Sequence, residues 1–203
     1  MEKYHISCND NIVEKLRKKV KSNGFANLPD AISDDLAVEL RREAAIQRAN
    51  SLAVSSTADI CYKAHLADLG DAARSFLNSS SLSNFLSQVF RESLEMTPSA
   101  SCYTYYEPGD FLNAHRDDAS ACTATVITYL DVTGPVPGSD DTGLILRIYN
   151  ETGPDVDPIK TSLPTRALSM IVGYGSRYWH ERPELKIGES LTALTACFSK
   201  VPG

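Results

Sequence analysis

The chain has 203 residues, 42% of them apolar and 23% charged, so it can bury a core of ordinary size and is not disordered, collagen-like or coiled-coil. Lys plus Arg number 20 against 26 Asp plus Glu, a net charge of −6, which disfavours nucleic-acid partners because an acidic chain repels a phosphate backbone. No apolar run approaches the roughly 18 residues of a membrane span, the first ten residues hold no apolar signal-peptide core, and five cysteines scattered without a Cys-x-x-Cys read as reduced thiols of a cytoplasmic protein.

In chain order, Asn9 or Asp10 can cap a helix carrying Ile12, Val13, Leu16 and Val20 at three- and four-residue spacing, stopping at Gly24. Phe25–Leu28 is a short extended segment closed by Pro29. A second helix starts near Ser33, with Leu36, Leu40 and Ala44 on one stripe and Arg41, Arg42 and Glu43 outward. A weaker helical segment near Asp71 leads to Ser79, Ser80 and Ser81, read as the cap and polar face of a helix burying Leu82, Leu86, Val89 and Phe90. After Met96 the pattern changes. Segments 102–106, 123–130, 144–149, 167–172 and 191–198 are short and rich in β-branched and aromatic residues, with breakers at 107–110, 134–143, 153–164 and 173–175. Short strands with regular turns and no intervening helices predict an antiparallel sandwich or barrel. The expected class is α+β but mainly β: one domain over 1–203, with a mostly helical buttress over 1–96 and a β core over 97–203.

The β half contains two of the four histidines, His115 and His180. In an extended chain, residues two apart face the same way. His115 and Asp117 can therefore offer an imidazole nitrogen and a carboxylate oxygen to one metal ion, with His180 as the third ligand. Two His and one carboxylate leave positions open, the arrangement that suits non-haem Fe(II) and dioxygen. The same ligands can bind zinc. The bland alternative is that His115 caps a strand end and Asp117 a turn.

The string Tyr106-Glu107-Pro108-Gly109-Asp110-Phe111-Leu112-x-x-His115-x-Asp117 resembles the Y-x-P-G-x-F-x-x-H-x-D signature of prolyl-4-hydroxylase-like 2-oxoglutarate/Fe(II) oxygenases. Val126 to Asp131, Thr142 to Leu146, and Trp179-His180-Glu181 followed by Gly188 resemble later strands of that family in order and spacing, over roughly residues 100 to 198. The resemblance implies a double-stranded β-helix (a jelly roll, cupin-like) with Fe(II) held by His115, Asp117 and His180, and 2-oxoglutarate and dioxygen as co-substrates. It implies that Tyr106 helps hold the 2-oxoglutarate. Because related halogenases have Gly or Ala where Asp117 stands, it implies hydroxylation or desaturation rather than halogenation.

One departure stands out. The family places Arg or Lys about ten residues after the distal histidine, in an R-x-S pattern, to clamp the far carboxylate of 2-oxoglutarate. Here Ser190 occupies that place, with Thr192 at the Ser position. A dicarboxylate in a low-dielectric pocket needs a paired charge. The substitute cations considered are Arg147 first, then Arg166, with the loop residues Arg177 and Lys186 behind them; use of a different 2-oxo acid or a decayed site are the other readings. Asp118 can meet a substrate amine if the strand ends there, and Trp179 can wall the substrate pocket. The acidic loops 134–143 and 150–165 are candidate lids. The expected prime substrate is a free small molecule such as an amino acid or natural-product intermediate, with peptidyl proline, or a zinc enzyme on the same barrel, as the alternatives. Nothing in the sequence sets the oligomeric state.

Overall fold

The computed structural model describes residues 6, 8–56, 60–134 and 142–201. The elements in order are α1 (Asp10–Asn23), β1 (Phe25–Leu28), α2 (Asp34–Arg48), β2 (Leu52–Ser55), β3 (Tyr62–Ala67), α3 (Asp71–Leu77), α4 (Ser80–Phe90), β4 (Leu94–Tyr106), β5 (Phe111–His115), β6 (Ala124–Thr133), β7 (Ile145–Ile148), β8 (Thr161–Pro164), β9 (Met170–Gly173), β10 (His180–Arg182) and β11 (Ser190–Lys200). The predicted caps form. Side-chain oxygens of Asn9, Ser33 and Ser79 accept from the backbone N–H groups of Ile12, Leu36 and Leu82, each satisfying a donor that the first helical turn leaves free.

The strands form one antiparallel sheet in the order β1-β9-β6-β11-β4-β3-β5-β10-β7-β8, with β2 added on β3. Its two ends approach one another, and Asn27 Nδ2 on β1 donates to the Pro164 carbonyl on β8 at 3.5 Å. The sheet is thus curled into a nearly closed barrel. Residue 96 is not a structural boundary. The N-terminal half supplies β1 and also β3, which sits between β4 and β5 in the middle of the sheet. β3 is hidden in the sequence because Lys63, Ala64 and Ala67 are weak strand formers. Its alternation is nevertheless present, since Tyr62, Ala64 and Leu66 all face the barrel interior.

Period-two alternation divides each strand between two cores. On β6, Val126 and Leu130 pack with Leu16, Leu40, Leu82 and Leu86 of the helices. Ile127 and Tyr129 point the other way and pack with Leu146, Leu191 and Ala193 inside the barrel. Burying each large apolar side chain contributes roughly 1.5–3 kcal/mol, so the helices cover a sheet face that could not stay in water. On β4, Tyr103 and Tyr105 face the helices, their hydroxyls donating to the Glu43 carboxylate (2.8 Å) and the Ala44 carbonyl (2.7 Å). They are packing residues, while Cys102, Thr104 and Tyr106 face inward.

The cysteine reading needs correction. Cys122 and Cys197 form a disulfide spanning 75 residues. Their proximity comes from strand pairing, which sets the end of β11 against the start of β6, and no short Cys spacing announces it. Cys8, Cys61 and Cys102 remain as thiols. No helix is long and apolar enough to cross a membrane.

Candidate metal and anion site

The inward strand faces enclose a cavity of about 280 Å³. One end is built by β5, β10 and the turn after β5. The chain reverses between β4 and β5 at Glu107–Asp110, where Gly109 adopts φ +86° and the buried Asp110 carboxylate accepts from the Glu107 N–H at 2.9 Å and pairs with Lys63 at 3.2 Å. That reversal sets His115 directly across from His180 on the antiparallel neighbour β10, with ring centroids 4.3 Å apart. Asp117 lies two residues further on, fixed by its own N–H donating to the Gly175 carbonyl at 3.0 Å.

Asp117 Oδ1 lies 3.5 Å from His115 Nε2 and 3.7 Å from His180 Nε2, and one ligand atom from each of the three residues falls within 4.8 Å of the others. Each histidine Nδ1 faces a backbone carbonyl, Asn113 at 3.0 Å and Tyr178 at 3.1 Å. Those bonds orient the two rings so that both Nε2 atoms face Asp117, the orientation a metal ligand needs. Oδ2 of Asp117 accepts from the Thr125 hydroxyl and touches Cys122 Sγ at 3.5 Å. Gly175 leaves room for this arrangement, because a Cβ there would collide with both the Asp117 carboxylate and the Thr125 hydroxyl. Burial pushes the His180 pKa down to about 4, with the neighbouring His115 adding to the effect against the opposing pull of Asp117. Burial also opposes ionisation of Asp117, but attraction to His180 and hydrogen bonds from His115 and Thr125 outweigh it and hold the carboxyl well below its ordinary range. A neutral imidazole and an ionised carboxylate are the forms that bind metals.

The other end is organised by Arg182, a residue absent from the candidates the sequence offered. It follows His180 by two and therefore shares its inward face. It is 4% exposed. Its guanidinium donates to the Gly143 carbonyl (3.1 Å), the Thr165 hydroxyl (3.0 Å) and the Tyr129 hydroxyl (2.5 Å), and lies about 5.5 Å from the Tyr106 ring centre. Among the described residues no carboxylate pairs with it. The Gly143 carbonyl is itself held in place by buried Glu189, which accepts from the Gly143 N–H (2.9 Å) and the Lys186 N–H (2.8 Å). Tyr106 lines the same cavity, and burial raises its pKa, so its hydroxyl keeps its proton.

The other sequence candidates, Arg177 and Lys186 included, lie outside this cavity. Arg147 pairs across the strand with Glu181, its Nη1 3.1 Å from the Glu181 carboxylate. Glu181 sits between His180 and Arg182, so this pair faces the outside of the barrel. Arg166 is exposed. Thr192 lies on β11 between Leu191 and Ala193, which are the inward residues, and it borders a surface cleft with Arg41 and Asp131 instead. Asp118 is exposed and turns back to accept from the Ser120 N–H and hydroxyl, both at 2.8 Å. Trp179 points outward, with the Arg116 guanidinium 5.3 Å above its ring. Of the candidate lids, Asp140 and Asp141 lie outside the described residues. Glu151, in the other loop, is bound to Arg177 at 2.8 Å, and that loop does not line the cavity.

No family model matches the sequence, and no curated protein does either. Solved structures do. A Pseudomonas putida prolyl-4-hydroxylase superposes with a TM-score of 0.64 at 17% identity, over 94% of this chain and 100% of that one. A prolyl hydroxylase from Trichoplax adhaerens, in complex with a hypoxia inducible factor oxygen degradation domain peptide fragment, gives 0.71 at 15% identity, over 94% and 90%. The epimerase SnoN, in complex with Fe3+, alpha ketoglutarate and nogalamycin RO, gives 0.70 at 15% identity, over 95% and 85%. These likenesses establish the fold as the double-stranded β-helix of such enzymes, and they extend over the N-terminal helices as well as the barrel.

Proposed function

We propose that the protein is a non-haem Fe(II)- and 2-oxoglutarate-dependent dioxygenase acting on a small molecule. The observation that carries this reading is one cavity with a His-Asp-His ligand set at one end and a buried guanidinium, without a carboxylate partner among the described residues, at the other. A buried charge left unpaired costs several kcal/mol, so Arg182 calls for an anion, and the far carboxylate of 2-oxoglutarate supplies one. The donor set fits Fe(II), since two imidazoles and one carboxylate on one side leave positions open for the 2-oxo acid and dioxygen.

In this reading His115, Asp117 and His180 hold the metal. Thr125 and Gly175 keep Asp117 turned so that Oδ1 faces the histidines. Arg182 forms a charge-assisted pair with the distal carboxylate, orienting the 2-oxo acid along the cavity, and the Tyr106 hydroxyl donates to the same ligand. The apolar side chains Ile127, Leu146, Leu191 and Ala193 exclude water around it. When bound, iron with the 2-oxo acid and dioxygen supplies the oxidising power to hydroxylate or desaturate an unactivated C–H bond.

The test is anaerobic addition of Fe(II) and then 2-oxoglutarate, followed by admission of oxygen. A metal-to-ligand charge-transfer band should appear and succinate should form. A correctly folded protein that shows no band would overturn the reading.

A further inference from the structure

The cavity has a burial gradient. Around Arg182 the lining residues Tyr106, Tyr129, Leu146 and Leu191 are buried. The part-exposed lining residues are Ile60, Tyr62, Leu66, Leu112, Cys102 and Thr195, so these mark the mouth, where a prime substrate enters. None is charged. Two hydroxyls of this lining, Thr104 and Thr195, bond to each other at 3.2 Å.

Charged groups lie close by but face elsewhere. Lys63 follows Tyr62 on the outer face of β3 and pairs with Asp110. Asp118 is bound within its own turn. Arg116 covers Trp179. Asp68 borders the neighbouring surface cleft and not the cavity. Inside the cavity, the only charges among the described residues are those of the metal ligands and Arg182. Building on the proposed function, Fe(II), Asp117, Arg182 and the doubly charged 2-oxoglutarate cancel one another, so a charged substrate group would find no counter-ion among the described residues and would carry the full cost of desolvation.

We infer that the prime substrate presents a neutral, largely apolar group to the metal, and that free amino acids and other small ions are excluded. The volume supports this. Ligand pockets usually span roughly 300–1,000 Å³, and a cavity of about 280 Å³ shared with 2-oxoglutarate admits only a compact apolar portion of the substrate beside the metal.

The test uses protein loaded with Zn(II) and N-oxalylglycine, an unreactive mimic of 2-oxoglutarate, and three probes of similar size: neutral 4-ethylphenol, cationic tyramine and anionic 4-hydroxyphenylacetate. Binding is read from the methyl NMR shifts of Ile60, Leu66 and Leu112. The neutral probe should bind at least about tenfold more tightly than either ion, a difference of about 1.4 kcal/mol. Leu66→Asp, at a part-exposed position of the mouth, should reverse the preference towards tyramine, a gain that a misfolded variant could not mimic. The inference fails if either charged probe binds the unmodified protein as tightly as 4-ethylphenol, or if none of the three moves these methyls. A missing charge-transfer band with Fe(II) and 2-oxoglutarate would instead count against the proposed function, and a normal band with reversed probe preference against the substrate class alone.

Discussion

The two ends of the cavity are built by different means. The proposed metal end is assembled across a strand pair: His115 faces His180, and Asp117 is fixed by backbone, Thr125 and the space that Gly175 leaves. The proposed anion end depends on one side chain, Arg182, held by two carbonyls and two hydroxyls that come from separate strands and loops. The metal end can therefore be weakened by degrees through its supports, whereas the anion end is present or lost with a single residue. The disulfide reinforces this contrast, because Cys122 lies against Asp117 and ties the ligand turn to β11.

Substitutions at the two ends should separate these properties. The largest effect is expected from His115→Ala or Asp117→Ala, which each remove a ligand. Fe(II) binding followed by equilibrium dialysis should become undetectable while circular dichroism stays native. Arg182→Gln comes next. Truncating one partner of a buried, hydrogen-bonded charge pair costs about 2–5 kcal/mol, so the Kd for 2-oxoglutarate should rise at least about thirtyfold, with Fe(II) affinity within about threefold of the unmodified protein. Loss of metal binding in that variant would break the separation between the two ends. Gly175→Ala should do the opposite, pushing the Asp117 carboxylate aside. Disturbing the support of a ligand typically costs about 10–100-fold in metal affinity, and the preference for 2-oxoglutarate over a mono-acid should survive. The smallest effects are expected from Arg147→Gln and Arg166→Gln. The half-buried Arg147–Glu181 pair is worth up to about 1 kcal/mol in thermal unfolding, and neither variant should alter co-substrate affinity.

The same contrast explains what the sequence disclosed. The grouping of His115, Asp117 and His180 was legible because its information is local: a His-x-Asp after a Pro-Gly turn, with one further histidine in the β half. The main strands of the barrel and the helix caps were legible for a similar reason, since period-two alternation and Ser or Asn before an apolar stripe are short-range signals. The anion end was not. Counting ten residues from His180 led to Ser190 and Thr192, but the pleat turns Leu191, Ala193 and Thr195 inward and leaves Thr192 outside. The one cation lining the cavity among the described residues is only two from His180, and the usable signal was parity: if His180 faces in, so does Arg182, while Glu181 and its cross-strand partner Arg147 face out. Asp118 and Trp179 failed as pocket residues for the same kind of reason, because adjacency to a ligand in sequence places a residue on the opposite face of an extended chain. The disulfide was hidden because strand register, not spacing, brings its cysteines together.

The most direct test of Arg182 as the counter-ion compares 2-oxoglutarate with 2-oxobutyrate, which keeps the metal-chelating atoms but lacks the far carboxylate. Their anaerobic Kd values would be measured with Fe(II) on the unmodified protein, Arg182→Gln and Arg147→Gln. The unmodified protein and Arg147→Gln should prefer 2-oxoglutarate by at least about thirtyfold, as expected of roughly 2 kcal/mol from a buried pair, and Arg182→Gln should bind the two acids almost equally. A preference that survives in Arg182→Gln, or disappears in Arg147→Gln, would contradict the account.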